Sequence, residues 1–286
     1  MYEKYKPMRW HRRLATIAIV AALLFVFTLP ASAITYGEPD GDGHPYVGAI
    51  VLVLPGGELF KIERPAGCSG TLIAEKVFLT AAHCTAPMDS FLAQYPGSEW
   101  LITFDPTISE NSTFFTGTWH TNPNYNGYSG PGGASDPGDI GVIVLDQSPG
   151  ITPASLPPAG LLDELKASHV LQDTRFTAVG YGTVREDTTM GFMGFLGNPD
   201  RNRVEQGFLS LTDAWLTLSQ TQATGDGGTC YGDSGGPHFI HLNGVETTII
   251  ASITAIGDAP CVATDKTYRM DTESARSFLA NFVDLP

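Results

Sequence analysis

The chain has 286 residues, with 16 Lys+Arg against 30 Asp+Glu, a formal net charge of −14, 42% hydrophobic residues and four cysteines. So acidic a chain is a poor partner for nucleic acid or an anionic membrane, and its apolar content excludes a disordered polyelectrolyte. Solubility is sufficient to explain the charge itself.

Residues 1–33 read as a targeting segment. Lys4, Lys6, Arg9, Arg12 and Arg13 precede an uncharged apolar run from Leu14 to Leu29, and Pro30 and Ala31-Ser32-Ala33 supply an A-x-A cleavage site. The run of 16 residues is shorter than a spanning helix usually needs. A removed signal peptide is expected, leaving residues 34–286 secreted and without a membrane anchor. The leader holds five basic residues and one acid, so its loss takes Lys+Arg from 16 to 11 and Asp+Glu from 30 to 29, a formal −18. What remains suits one all-β unit. All four cysteines lie in it, so two disulfides are expected, with three pairings open.

Gly37 to Gly43 is a turn-rich lead-in, and Pro45 to Leu54 has the length and branching of a first strand. Ser69 to Thr80 reads as two short strands around Glu75-Lys76, which deliver His83 at a strand end. Trp100 to Phe104 and Phe114 to Trp119 are further strand candidates. Thr121 to Gly138, rich in Asn, Gly, Pro and Ser, is a long surface loop. Asp139 then opens the apolar strand Ile140 to Leu145. The Pro-rich Leu156 to Gly160 suits a link between two halves, near 150–160. Strands are expected at Arg175 to Thr183, Val204 to Leu211, Ala214 to Ser219, His238 to Leu242 and Glu246 to Thr254, with Glu186 to Arg203 an exposed loop. Only the end looks helical: Thr272 can cap a helix whose Ala275, Phe278, Leu279, Phe282 and Val283 form one apolar stripe.

Three stretches carry chemistry. Thr80-Ala81-Ala82-His83-Cys84 offers a base, Asp139-Ile140-Gly141-Val142-Ile143-Val144-Leu145 an orienting carboxylate, and Cys230-Tyr231-Gly232-Asp233-Ser234-Gly235-Gly236-Pro237 a nucleophile in a glycine-dense turn. A glycine turn by itself would be ordinary; three motifs in this order are specific. Together they resemble the trypsin/chymotrypsin-like serine proteases, and weaker matches extend from Ile34 almost to the C-terminus.

The resemblance implies two six-stranded antiparallel β-barrels with the site in the cleft between them and a C-terminal helix. It implies a secreted endopeptidase acting on proteins or peptides through an acyl-enzyme, without cofactor or metal, and a monomer. Ser234 would be nucleophile, His83 base and Asp139 its orienting partner, with the amides of Gly232 and Ser234 as oxyanion hole. It selects Cys68 with Cys84 and Cys230 with Cys261. Cleavage after Ala33 would expose Ile34, whose ammonium would pair with Asp233. Two rivals stay open: a catalytically silent homologue serving as a binding module, and an α/β-hydrolase-type esterase, since Gly232 to Gly236 also satisfies G-x-S-x-G. Against the esterase, no histidine follows Ser234 at a suitable distance and βα alternation is missing.

By the same resemblance Gly228 lies at the base of the primary pocket, flanked by Thr229 and Tyr231, with Gly257 in the wall. Gly228 brings no carboxylate, so strong selectivity for Arg or Lys is not encoded there. Lys266 falls near a second pocket position, where it would favour an acidic side chain. The preferred alternative has Lys266 facing solvent and a pocket for apolar residues, and Asp258 could restore a taste for basic ones.

Overall fold

Short apolar, β-branched runs make strands the dominant regular element of this chain. The computed structural model describes residues 36–60, 66–128, 135–185 and 196–286, so the leader and Ile34 lie outside the described residues. The strands are β1 (Glu38–Pro39), β2 (Val47–Val53), β3 (Ala66–Ala74), β4 (Val77–Thr80), β5 (Glu99–Thr103), β6 (Gly117–Thr121) and β7 (Gly141–Leu145), then β8 (Arg175–Gly180), β9 (Asn202–Leu211), β10 (Trp215–Ser219), β11 (Pro237–Leu242), β12 (Val245–Gly257) and β13 (Thr264–Arg269).

The first sheet runs β5-β2-β3-β4-β7-β6, every pair antiparallel. It curls until its ends meet, where Ile102 and Phe115 exchange both backbone hydrogen bonds at 2.9 and 2.8 Å. The second runs β1-β9-β10-β13-β12-β11-β8, and β8 also pairs with β9, so six strands close into a barrel with β1 on its edge. Curling lets each sheet bury one face on itself, as twisted strands require. Leu72, Phe78 and Ile143 of the first sheet and Phe239 and Ile253 of the second share one core, while Phe176, Leu216 and Ile240 form another inside the second barrel.

Three expectations need correction. Helix is not confined to the end: α1 (Ala82–Thr85), α2 (Met88–Gln94) and α3 (Leu161–Ala167) precede α4 (Glu273–Leu279). One or two turns are too few residues for a 3.6-residue period to show. At α4 the expected cap is present, Thr272 accepting from Ala275 N at 3.2 Å, but the helix stops at Leu279 and Phe282 and Val283 pack beyond it. β13, too polar to stand out as a strand, sits between β10 and β12. Finally, the stretch before β9 is not uniformly exposed. Arg201 is only 1% exposed, its Nε donating to Asp40 Oδ2 at 2.7 Å and its Nη1 to the carbonyls of Val47 and Phe104. A guanidinium can be buried when its donors are satisfied, and Asp40 lies 161 residues away in sequence.

Candidate active site

β4 ends at Thr80 and the chain turns at once into α1, which holds His83 at the cleft. β7 starts beside it, pairing Gly141 with Thr80, so Asp139 just before β7 meets His83. The Asp139 carboxylate is fully buried; Oδ1 accepts from His83 N at 2.9 Å and Oδ2 from His83 Nδ1 at 2.9 Å. Two bonds from one residue fix both the ring's orientation and its tautomer, with the proton on Nδ1 and Nε2 left to accept. Tyr128, which sequence reasoning passed over as part of a loop, also donates its hydroxyl to Asp139 Oδ2.

Ser234 comes from the other sheet, in the turn before β11. Its carbonyl accepts from Ser69 N at 2.8 Å, which ties the turn to β3 of the first sheet. Gly235 (φ 80°) explains the glycine there. A Cβ would fall 2.2 Å from Thr80 Oγ1 and 2.7 Å from Ala81 N, so only a glycine lets the serine turn press against the histidine strand. Gly232 has φ 106°, and among the described residues neither its amide nor that of Ser234 has a hydrogen-bond acceptor.

Disulfides Cys68–Cys84 and Cys230–Cys261 brace the two halves in the expected pairing. The cluster Cys68, His83 and Cys84 is close enough to suggest a metal site, but both sulfurs are bound to each other and offer no thiolate.

Asp233 is completely buried. Its Oδ1 accepts from Gly182 N at 2.7 Å and its Oδ2 from Cys230 N at 2.8 Å. A Cβ on Gly182 would lie 2.2 Å from the carboxylate, so the glycine of Gly180-Tyr181-Gly182 makes room for it. Burial pushes Asp233 up to about 7; the two amides oppose the shift and the charge of Asp265 adds to it. Among the described residues no cation pairs with Asp233.

A cavity of about 220 Å³ opens next to Ser234, with Thr229, Tyr231, Thr254, Ile256 and Gly257 in its wall. Gly228 is not in that wall. The side chain of Gln220 fills the space a Cβ on Gly228 would need, with Cδ at 2.4 Å. Lys266 turns away, its Nζ 4.2 Å from the centroid of Trp215. Strand alternation instead turns its neighbour Asp265 inward, fully buried, accepting from Thr229 Oγ1 at 2.7 Å and Gln206 Nε2 at 3.1 Å. Lys266 thus lies outside the pocket, as the preferred alternative has it, and Asp265 is the inward residue of this strand. Asp258, at the cavity rim, accepts from the amides of Val262, Ala263 and Thr264.

His238 stands behind Thr254 of the cavity wall. Its Nε2 lies 3.0 Å from Thr254 Oγ1 and 3.5 Å from Asp265 Oδ2. Burial pulls it below the ordinary imidazole value despite the opposing pull of Asp265. Asp265 Oδ1, Gln220 Oε1, Gln206 Oε1 and His238 Nδ1 are buried without a partner. With the His238 proton on Nε2, all four are acceptors.

Comparison with known proteins agrees with this geometry. The family model described as Trypsin matches residues 58–272. The solved structure of HL collagenase is similar over 87% of this chain and 98% of its own, at 16% identity and a TM-score of 0.60. Neuropsin, a serine protease expressed in the limbic system of mouse brain, is similar over 88% of this chain and 100% of its own, at 20% identity and a TM-score of 0.58. No curated protein sequence matches. With three quarters of its length matched by that family model, this chain belongs to the trypsin family of serine proteases.

Proposed function

We propose that this protein is a secreted serine endopeptidase that cleaves peptide bonds through an acyl-enzyme, with Ser234 as nucleophile, His83 as general base and Asp139 as the carboxylate that orients it. The observation that carries this reading is the doubly bonded His83–Asp139 pair, which leaves Nε2 of the ring to accept a proton. A serine hydroxyl attacks a carbonyl at neutral pH only if its proton is taken as the bond forms. His83 would take it and return it to the leaving amine. The free amides of Gly232 and Ser234 are the donors available to the oxyanion, each worth about 2.7 to 4 kcal/mol in such sites. Labelling of the protein by a fluorophosphonate, absent in Ser234→Ala, tests the reading; a correctly folded protein that neither labels nor cleaves would favour the silent binding module.

Signal peptidase cleavage after Ala33 would make Ile34 the new terminus, and its ammonium is the cation that Asp233 lacks. The substrate pocket is proposed to take a basic side chain. Asp258 lies in the cavity wall and Asp265 stands behind it on Thr229, and among the described residues that line the cavity there is no Lys or Arg. An acidic side chain there would meet like charge, whereas a cation would be attracted by these carboxylates.

A further inference from the structure

We propose that Tyr128 is a positioning residue for His83: its hydroxyl holds the Asp139 carboxylate in the orientation that faces the imidazole and offsets part of its charge. The inference rests on the reading of His83, Asp139 and Ser234 as the reactive set.

An ionised carboxylate has about four lone-pair directions, and a buried one must fill them from the protein. Asp139 receives His83 N on Oδ1 and His83 Nδ1 on Oδ2; the Tyr128 hydroxyl is a third donor, on the same oxygen that faces the imidazole. It competes with the ring for that oxygen's electron density. Burial pushes the phenol well above its ordinary value, with the nearby Asp139 charge adding to the shift, so Tyr128 stays protonated and donates throughout the working range.

The backbone shows that this contact is specified. Tyr128 has φ 60°, a left-handed conformation that is unfavourable for a non-glycine residue and persists only where its surroundings demand it. Its amide is held by Asn126 Oδ1 at 2.9 Å. Its ring lies nearly parallel to Trp215 of β10, centroids 6.1 Å apart, and edge-on to Tyr125 at 6.0 Å. Thus a loop between β6 and β7 of the first sheet rests on a strand of the second and delivers one hydroxyl to the carboxylate between them.

Several other titratable groups face this site. Tyr125 on the same loop is pushed up to about 12 by burial and then by Asp139. Tyr268 on β13 is raised by burial too, and donates to Asp136 at 2.8 Å. Lys266 on β13 covers Trp215. A Tyr128→Phe change leaves all of these in place and keeps the ring stacked, removing only the donor.

Without that donor the carboxylate is the stronger base, holds the imidazolium more tightly and raises the His83 pKa. In Tyr128→Phe the acid limb of kcat/KM should move up by about half a pH unit or more. The plateau kcat, normalised to sites titrated by fluorophosphonate, should fall about three- to tenfold with KM within about twofold. Tyr128→Ala, which also loses the ring, should lower the melting temperature as well. Unchanged limb and plateau in the Phe variant, with loss confined to Ala, would mean that the ring only packs and would overturn the proposal. The same comparison by NMR titration of His83 in a Ser234→Ala background does not depend on turnover. A His83 pKa raised by Tyr128→Phe supports the positioning role even if the protein proves inactive, and an unmoved one refutes it.

Discussion

Thr229 donates its hydroxyl to Asp265 Oδ2 at 2.7 Å, which places a buried carboxylate directly behind the wall of the cavity beside Ser234. Because the Thr229 proton is committed to Asp265, the pocket meets that hydroxyl as an acceptor. On matched peptides, kcat/KM for Arg or Lys at the cleaved position should exceed that for Leu by about tenfold or more, and Glu should be the poorest. Asp265→Asn should remove most of the Arg advantage and leave Leu cleavage within a few fold. Benzamidine binding to the Ser234→Ala protein reads the same pocket without chemistry, and a preference for Leu or Glu in the unmodified enzyme would contradict this assignment.

Alanine at Ser234, His83 or Asp139 should each reduce kcat to the residue of catalysis that the oxyanion donors and binding provide, about 10³ to 10⁴ over water. Because the three act as one unit, the double mutants should be scarcely slower than the singles. Kinetics of the set on one good peptide would settle it, with near-additive losses speaking against concerted action.

The reactive residues were legible because their motifs are local: each of the stretches around His83, Asp139 and Ser234 is a continuous run whose residue types are dictated by one backbone geometry. The all-β class was legible for the same reason, since strand patterning is read within six residues, and the two barrels were implied by the family resemblance that the motifs carry. Long-range partners were not. Nothing near Tyr128 signals that its hydroxyl meets Asp139 11 residues on, and nothing near Arg201 signals Asp40. The pocket illustrates the sharpest limit. In a strand a shift of one residue exchanges inward for outward, and without the register the inward carboxylate of Asp265, next to Lys266, could not be singled out.

His44 is clamped between Asp40 on Nδ1 at 2.5 Å and Glu246 on Nε2 at 2.7 Å. Burial alone would lower its pKa, but the two carboxylates outweigh burial and hold it above the ordinary value. A group raised in the folded state stabilises fully below its unfolded pKa and loses that contribution as pH rises through the folded one. The clamp should therefore strengthen the protein at pH 5 to 6 and weaken in mildly alkaline solution. His44→Phe should cost about 1 to 3 kcal/mol at pH 5.5 and less at pH 8.5; equal losses in thermal melts at both pH values would show that His44 contributes packing alone.

Asp233 has the same sign of pH dependence for a different reason: burial disfavours its charged form. Its folded value of about 7 stands above that of an exposed aspartate, so without a cationic partner the fold is most stable when Asp233 is protonated. Stability then declines as pH climbs from about 4 through 7, by an amount on the order of 4 kcal/mol for a fully buried group. An ammonium from Ile34 beside Asp233 would reverse this, holding the carboxylate ionised and the Gly232–Ser234 turn in place at neutral pH. Two proteins separate the cases: one beginning at Ile34, and one retaining Ala33 ahead of it. The first should melt at nearly constant temperature between pH 5 and 8 and be active, and the second should lose stability over that range with kcat/KM reduced at least tenfold at neutral pH. Active protein whose sequenced terminus is not Ile34, or identical melting profiles for the two, would rule out this route of activation.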